Sequence, residues 1–226
     1  MSVRARPSDA LAIAKINTCG ALLVFPIKNQ KTPKSLWSEF FPRTPMRWEW
    51  DEHGDHRVSD LWHMMKRLSS SRNVVYSKWY QGRATFFSHR LFTAMLTLFH
   101  RRFEDKHALQ ALSPALSPWA TKILEILEND APLSTKELKR MTELQGRLNE
   151  GIYNQAMREL FKHLLIVGFG EVEDGAFPSL AVGPTAHLFE DLWNKAKTLT
   201  RDEAQATLDK FLPLGTPFRR QFDKNR

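Results

Sequence analysis

Apolar residues recur in this chain with two periods, and the switches between them mark most of its elements. Over Asp55 to Ser70, Val58, Leu61, Trp62, Met65 and Leu68 fall at helical spacing, which predicts an amphipathic helix. The next stretch, "VVYSKWYQGRATFFSHR", alternates with period two around Gln81-Gly82. That predicts strands over Val74 to Tyr80 and Arg83 to Phe87. Ser88 then caps a helix to about Arg102, with Leu91, Phe92, Met95, Leu96 and Phe99 as its apolar face. Phe86 and Phe87 are expected to lock the hairpin to that helix. Upstream, Ser8-Asp9 caps a helix over Ala10 to Thr18, ended by Gly20. A buried strand follows over Ala21 to Ile27, then a short helix within Pro33 to Phe41. "RWEWD", from Arg47 to Asp51, reads as a short strand. Residues 101–117 form a connector punctuated by Pro114.

The second half repeats helical patterning before it alternates. Pro118 to Glu128 is apolar at Ile123, Leu124, Ile126 and Leu127. "STKE", Ser134 to Glu137, predicts a reciprocal capping box and a short helix to Met141. After a turn at Gln145-Gly146, a third helix runs over about Asn149 to Leu165. It has inward columns Ile152, Ala156, Leu160, Leu164 and Tyr153, Met157, Phe161, Leu165. "VGFGEVEDGAFPSLAV" then predicts two strands joined at Asp174-Gly175. Further helices are expected over Thr185 to Leu199 and, capped by Thr200 with Glu203, over Thr200 to Phe211; "TPFRRQFDKNR" is expected to be a mobile tail. Helix, capped helix, turn, helix and hairpin is the winged-helix order. The expected class is therefore α+β and mainly helical, with a winged helix-turn-helix domain beside a basic N-terminal helix and hairpin region. The expected division is 1–110, 111–200, and 201–226 for the last helix and tail.

Charge adds a direction to this plan. The net charge is +8, yet residues 1–110 hold 18 basic and 9 acidic side chains while residues 111–226 hold 15 and 16. A basic first half favours a polyanionic partner. The single cysteine, Cys19, excludes an intrachain disulfide and Cys₄ or Cys₂His₂ zinc sites, and reads as a small buried hydrophobe. The longest apolar run, Ala21 to Phe25, is too short to span a bilayer, and Lys15 and Asn17 interrupt any signal-peptide core. A bacterial-type cytoplasmic protein is expected. There is no P-loop, no G-x-G-x-x-G and no G-x-S-x-G, so neither a nucleotide cofactor nor a hydrolase elbow is indicated. Carboxylates and imidazoles crowd Trp48 to His56, but their spacing matches no metal motif. A loop is the expected reading, and no metal or other cofactor is expected. Trp62 and Trp193 are expected to be buried. Trp37, Trp48, Trp50 and Trp79 are expected to pack rather than stack on bases.

Two groups of side chains suit DNA. The third helix presents Asn154, Gln155, Arg158 and Lys162, approached from Arg147 and Asn149. Amides and guanidinium match base edges, and Lys suits phosphate. A solvated helix face selects the same residue types. The hairpin offers Lys78, Gln81 and Arg83 around its turn, with Arg90 beside it. Against this, Glu171, Glu173 and Asp174 near the wing tip would repel phosphate.

Three segments carry a resemblance: "VVYSKWYQGRATFFS", "SLWSEFFPRTPMRWEWD" and "VSDLWHMMKRLSSS". Across about Leu22 to Phe92 the chain resembles the small AlkZ-related proteins, themselves similar to AlkZ/YcaQ-type winged-helix DNA glycosylases. The resemblance implies double-stranded DNA as partner and a link to DNA repair. The signature of those glycosylases is glutamine, an apolar residue, then aspartate or glutamine, in the core of the fold. Gln221-Phe222-Asp223 stands in the last six residues instead, so no catalytic residue is carried over. A glycosylase would need a carboxylate, with Glu49 and Asp51 as the candidates in the first half. The leading expectation is thus a DNA-binding protein. The alternatives are an AlkZ-like glycosylase excising alkylated bases, and a winged-helix scaffold whose acidic wing meets a protein partner.

Overall fold

The computed structural model describes residues 7–48, 56–100, 116–172 and 178–226. Most of the "RWEWD" strand, the candidate acids Glu49 and Asp51, nearly all of the carboxylate and imidazole cluster, Trp50, the connector up to residue 115, and the wing tip with Glu173 and Asp174 lie outside the described residues.

Local signals account for most helix boundaries. Ser8 Oγ accepts from the Leu11 amide at the start of α1 (Asp9–Cys19). Gly20 ends that helix at φ 79°, and a Cβ there would come within 2.7 Å of Phe211, so both backbone and space demand glycine. β1 (Ala21–Leu23) is shorter than the apolar run suggests, because the chain turns away through Pro26 and the left-handed Lys28 and Asn29. α2 (Leu36–Phe40) is capped by Ser35 and Ser38 reciprocally. α3 (Arg57–Ser70) buries Val58, Leu61, Met64, Met65 and Leu68. Trp62, expected in the core, is 36 % exposed; α3 fills its buried stripe without it.

The hairpin forms as the alternation predicts, with β2 (Val75–Tyr80) and β3 (Arg83–Phe87). Gln81 and Gly82 both have positive φ, as a two-residue type I′ turn requires. α4 (His89–Phe99) is capped by Ser88. α5 (Pro118–Asp130) starts at Ser117, whose amide and hydroxyl donate to Glu159 at 2.9 and 2.6 Å. β4 (Leu133–Ser134) leads into α6 (Thr135–Met141), where Ser134 accepts from the Glu137 amide. The Glu137 carboxylate pairs with Arg140 instead of completing the expected box. α7 (Glu150–Lys162) ends earlier than predicted, and Leu164 turns left-handed at φ 58°. β5 (Ile166–Val172) and β6 (Ser179–Pro184) pair antiparallel. The single helix expected over Thr185 to Leu199 breaks at Phe189 into α8 (Thr185–Leu188) and α9 (Glu190–Thr198). α10 (Arg201–Phe211) carries the full Thr200 and Glu203 box.

The expected mobile tail is a helix, α11 (Pro217–Asn225). Phe218 and Phe222 lie four apart on one face and are buried, edge-on to Tyr80 at 4.9 Å and to Phe99 at 5.0 Å. Arg219 is anchored by Asp223 and Asp209. The abundance of charge in this segment hid a two-phenylalanine anchor.

One sheet joins the two halves of the chain, in the antiparallel order β1-β3-β2-β5-β6-β4. The central seam pairs Tyr76 of β2 with Gly168 of β5. A Cβ on Gly168 would sit 2.4 Å from the Tyr76 ring, so the close approach needs glycine. Both faces of this sheet are covered. Val75, Trp79 and Phe87 pack in one core with α4, α5, α7, α9, α10 and α11. Val74, Tyr76 and Phe86 pack in a second core with α1, α2 and α3. Phe87 does meet Phe92 of α4, at 5.9 Å, whereas Phe86 faces the other core, edge-on to Tyr76.

Candidate nucleic-acid interface

The sheet seam sets α7 against the tip of the β2–β3 hairpin. The β2–β3 register shifts between Ser77 and Tyr80, and the neighbours Trp79 and Tyr80 both pack in the first core. Lys78 sits inside this irregularity; such bulges commonly re-aim a side chain. Lys78, Gln81 and Gly82 form one wall of a cleft of about 430 Å³. Asn154, Arg158, Met157, Tyr153 and Phe161 of α7 form the opposite wall, with Thr135 and Lys139 of α6 and Leu180 of β6 closing it. Four of the sequence-predicted residues, Lys78, Gln81, Asn154 and Arg158, therefore converge from elements about 75 residues apart in the chain.

The cleft is held by its own polar contacts. Tyr153 donates its hydroxyl to the Thr135 carbonyl at 3.1 Å. Lys139 pairs with Glu150 at 2.7 Å and lies 4.9 Å from the Tyr153 ring centre. Asn154 donates to Glu150, and Arg158 donates to the Asn154 carbonyl. These bonds orient the donors without neutralising Arg158. Among the described residues, none lining the cleft is a carboxylate. Burial holds the Lys78 ammonium below the ordinary lysine range, while the charge of Glu171 pulls the other way. Glu171, beyond Gly170 at φ 76°, approaches Lys66 at 3.9 Å, and its Oε2 is buried without a hydrogen bond. Desolvation by burial also pushes up the Tyr153 phenol.

The remaining predicted residues lie elsewhere. Gln155 and Lys162 are exposed on α7 outside the cleft wall, and Arg147 is exposed in the turn before it. The Asn149 amide donates to the Gln145 and Glu143 carbonyls, which ties it to the turn. Arg83 is exposed across the hairpin turn, near enough to Tyr80 to counter the burial that raises its phenol. Arg90 is not beside the turn: the length of β3 separates them, and its guanidinium lies 6.0 Å from the Phe211 ring centre. Ile152, expected in an inward column, is 41 % exposed, and Leu148 is 95 % exposed at the same end of α7. Lys139 was not singled out from the sequence, although Lys136, Lys139 and Arg140 mark a basic face on its short helix.

Other candidates resolve locally. Gln221 bonds Asn225, Asp223 bonds Arg219 at 2.9 Å and Phe222 is fully buried, so this triplet anchors α11. Trp37 and Trp79 are buried and Trp193 is nearly so, whereas Trp48 is 62 % exposed. Cys19 is a free, half-buried thiol pushed up by burial. Among the described residues, no group of three or more His, Cys, Asp or Glu is placed to hold a metal ion, and no helix is long and apolar enough to cross a membrane.

A protein-family model described as AlkZ related matches residues 8–217. No curated protein and no solved structure matches the chain.

Proposed function

This chain belongs to the AlkZ-related family, and on that premise we propose that it is a winged-helix DNA-binding protein linked to DNA repair. The order α5, α6, α7, β5 and β6, with β4 paired to the outer edge of β6, matches the winged-helix plan. In that plan α7 is the reader. The observation that carries the proposal is the cleft shared by the hairpin tip and α7. It gathers Lys78, Lys139 and Arg158 with the amides of Gln81 and Asn154, and among the described residues no carboxylate lines it. Cations position a phosphate backbone, and amides and guanidinium reach base edges. Gln155 and Lys162 extend the donor stripe along α7, while Arg83 and Arg147 add exposed charge at its flanks.

Anisotropy of a short labelled duplex, titrated at roughly 50 and 200 mM salt, tests this reading. Affinity should fall steeply with salt, and Lys78→Ala and Arg158→Ala should each lower the salt slope by about 1. Negligible duplex binding at low salt would overturn the proposal. Running the same titration on alkylated DNA, with an assay for abasic sites, separates binding from excision. A second reading, a protein-interaction scaffold, draws on the exposed apolar side chains Met141 at the end of α6, Leu148 just before α7 and Ile152 on α7. Loss of DNA binding on Leu148→Ser would assign those side chains to DNA. Full retention would leave them free for a protein.

A further inference from the structure

β3 has a basic cleft at each end. The hairpin tip and α7 form the first. At the other end, about 17 Å along the strand at 3.4 Å per residue, α4, α9 and α10 enclose a larger one of about 700 Å³. We propose that this second cleft binds a phosphate ester.

Three helices each contribute a cation to it: Arg90 from the first turn of α4, Lys195 from α9 and Lys210 from the end of α10. None of these side chains makes an ion pair or hydrogen bond among the described residues. Arg90 and Lys210 each lie 6.0 Å from the same Phe211 ring centre, so one aromatic ring is a neighbour of both charges. The carboxylate on the wall, Glu203, is engaged by its own helix cap, accepting from the Thr200 amide at 3.1 Å and hydroxyl at 2.6 Å. The cleft thus carries three cations against one carboxylate, and none of the three is paired among the described residues, whereas in the α7 cleft Lys139 is already paired with Glu150.

Two further features point to an anion. α4 starts at this cleft with no acid in its first turn, so its positive end is not offset. Thr93 Oγ, on the same wall, and His89 Nε2, on a ring that borders this cleft and lies edge-on to Phe189 at 6.0 Å, are buried and make no hydrogen bond among the described residues. Unpartnered polar atoms of this kind are rare in folded proteins, and phosphate oxygens are strong acceptors. Leu192, Leu199 and Ala206 supply apolar wall for the organic part of an ester, and the volume is that of a small-molecule site. The chemistry is shared by a free mononucleotide and by a backbone phosphodiester of DNA. The site does not require the α7 cleft to bind anything.

Calorimetry of the full chain with deoxyadenosine 5′-monophosphate, and separately with duplex DNA, tests the site. The variant Arg90→Gln/Lys195→Gln/Lys210→Gln keeps much of the side-chain stems and removes the charge. A control, Lys28→Gln/Lys122→Gln/Lys224→Gln, removes the same charge elsewhere, and thermal melts verify that both variants fold. A loss of tenfold or more for either ligand, in the cleft variant and not in the control, is expected. Loss for the monophosphate alone assigns a free ester; loss for DNA, alone or with the monophosphate, assigns a backbone contact. If neither ligand loses affinity beyond the control, the proposal is wrong.

Discussion

Within the β2–β3 hairpin, Tyr76, Trp79, Phe86 and Phe87 are buried, while Gln81, Gly82 and Arg83 are exposed a few residues away. The body is a partition between two cores. Its odd and even positions each meet a packed set of helices, so packing decides every side chain there. The tip extends past the point where β2 pairs with β5, a contact made at Tyr76 and Gly168. Beyond it Trp79 and Tyr80 still pack in the first core, but Gln81, Gly82 and Arg83 at the turn are exposed and available to a ligand. Lys78 is half-buried between the two regimes, where burial disfavours its charge and Glu171 favours it. The same alternating pattern therefore serves as brace at one end and contact at the other.

The sharpest way to break this division is Phe87→Ala. Phe87 is fully buried, touching Trp79 and Phe92, so the loss should be roughly 3–5 kcal/mol by urea unfolding. DNA affinity of the folded fraction should not change. A cost below about 1 kcal/mol would mean that the body is not a partition.

The two cores should also differ toward acid. His100, buried against Trp193 at 5.1 Å, is pushed down by burial to about 4. The folded state then binds a proton less readily than the unfolded chain between about pH 4 and 6.5. Stability is complete above that window and lost as pH falls through it, by roughly 3 kcal/mol for a displacement of that size. Denaturation at pH 7 and 4 should show this loss, and His100→Phe should remove most of it. If the substituted protein keeps the full acid loss, the sensitivity lies elsewhere.

Smaller effects sharpen the boundary itself. Gly168→Ala forces a methyl group into the Tyr76 ring and should cost roughly 1–3 kcal/mol, read as a lower melting temperature. Gly82→Ala meets nothing within 4 Å at the tip and carries only the strain of φ 73°, about 1 kcal/mol. Equal costs at the two glycines would erase the distinction between seam and tip.

Legibility followed range. Ser8, Ser88, Ser117 and the Thr200 and Glu203 box are contacts within one turn, and each marks a helix start where the pattern predicts one. Helix ends were less legible: α7 stops at Lys162 because Leu164 turns left-handed, which its residue type does not signal. Half of the candidate interface followed the same rule. Asn154 and Arg158 stand on one helix face by period alone, and Gln81 at a turn by the Gln-Gly pair. Nothing local tied them to Lys78 or Lys139, or separated Arg90 from the tip.

From the sequence alone came the α+β class, the basic first half, the hairpin with its two-residue turn, and most of the helices, because caps and periods act over a few residues. The AlkZ-related resemblance was legible there too, in three short segments of the first half. Only the tertiary structure decided that one sheet runs through both halves, that α11 is an anchor rather than a tail, and that the basic residues divide between two clefts at opposite ends of β3. Those outcomes depend on contacts such as Tyr76 with Gly168 and Phe222 with Phe99, between residues about 90 or more positions apart. Packing of that range depends on which apolar faces cover one another, and no local pattern encodes that choice.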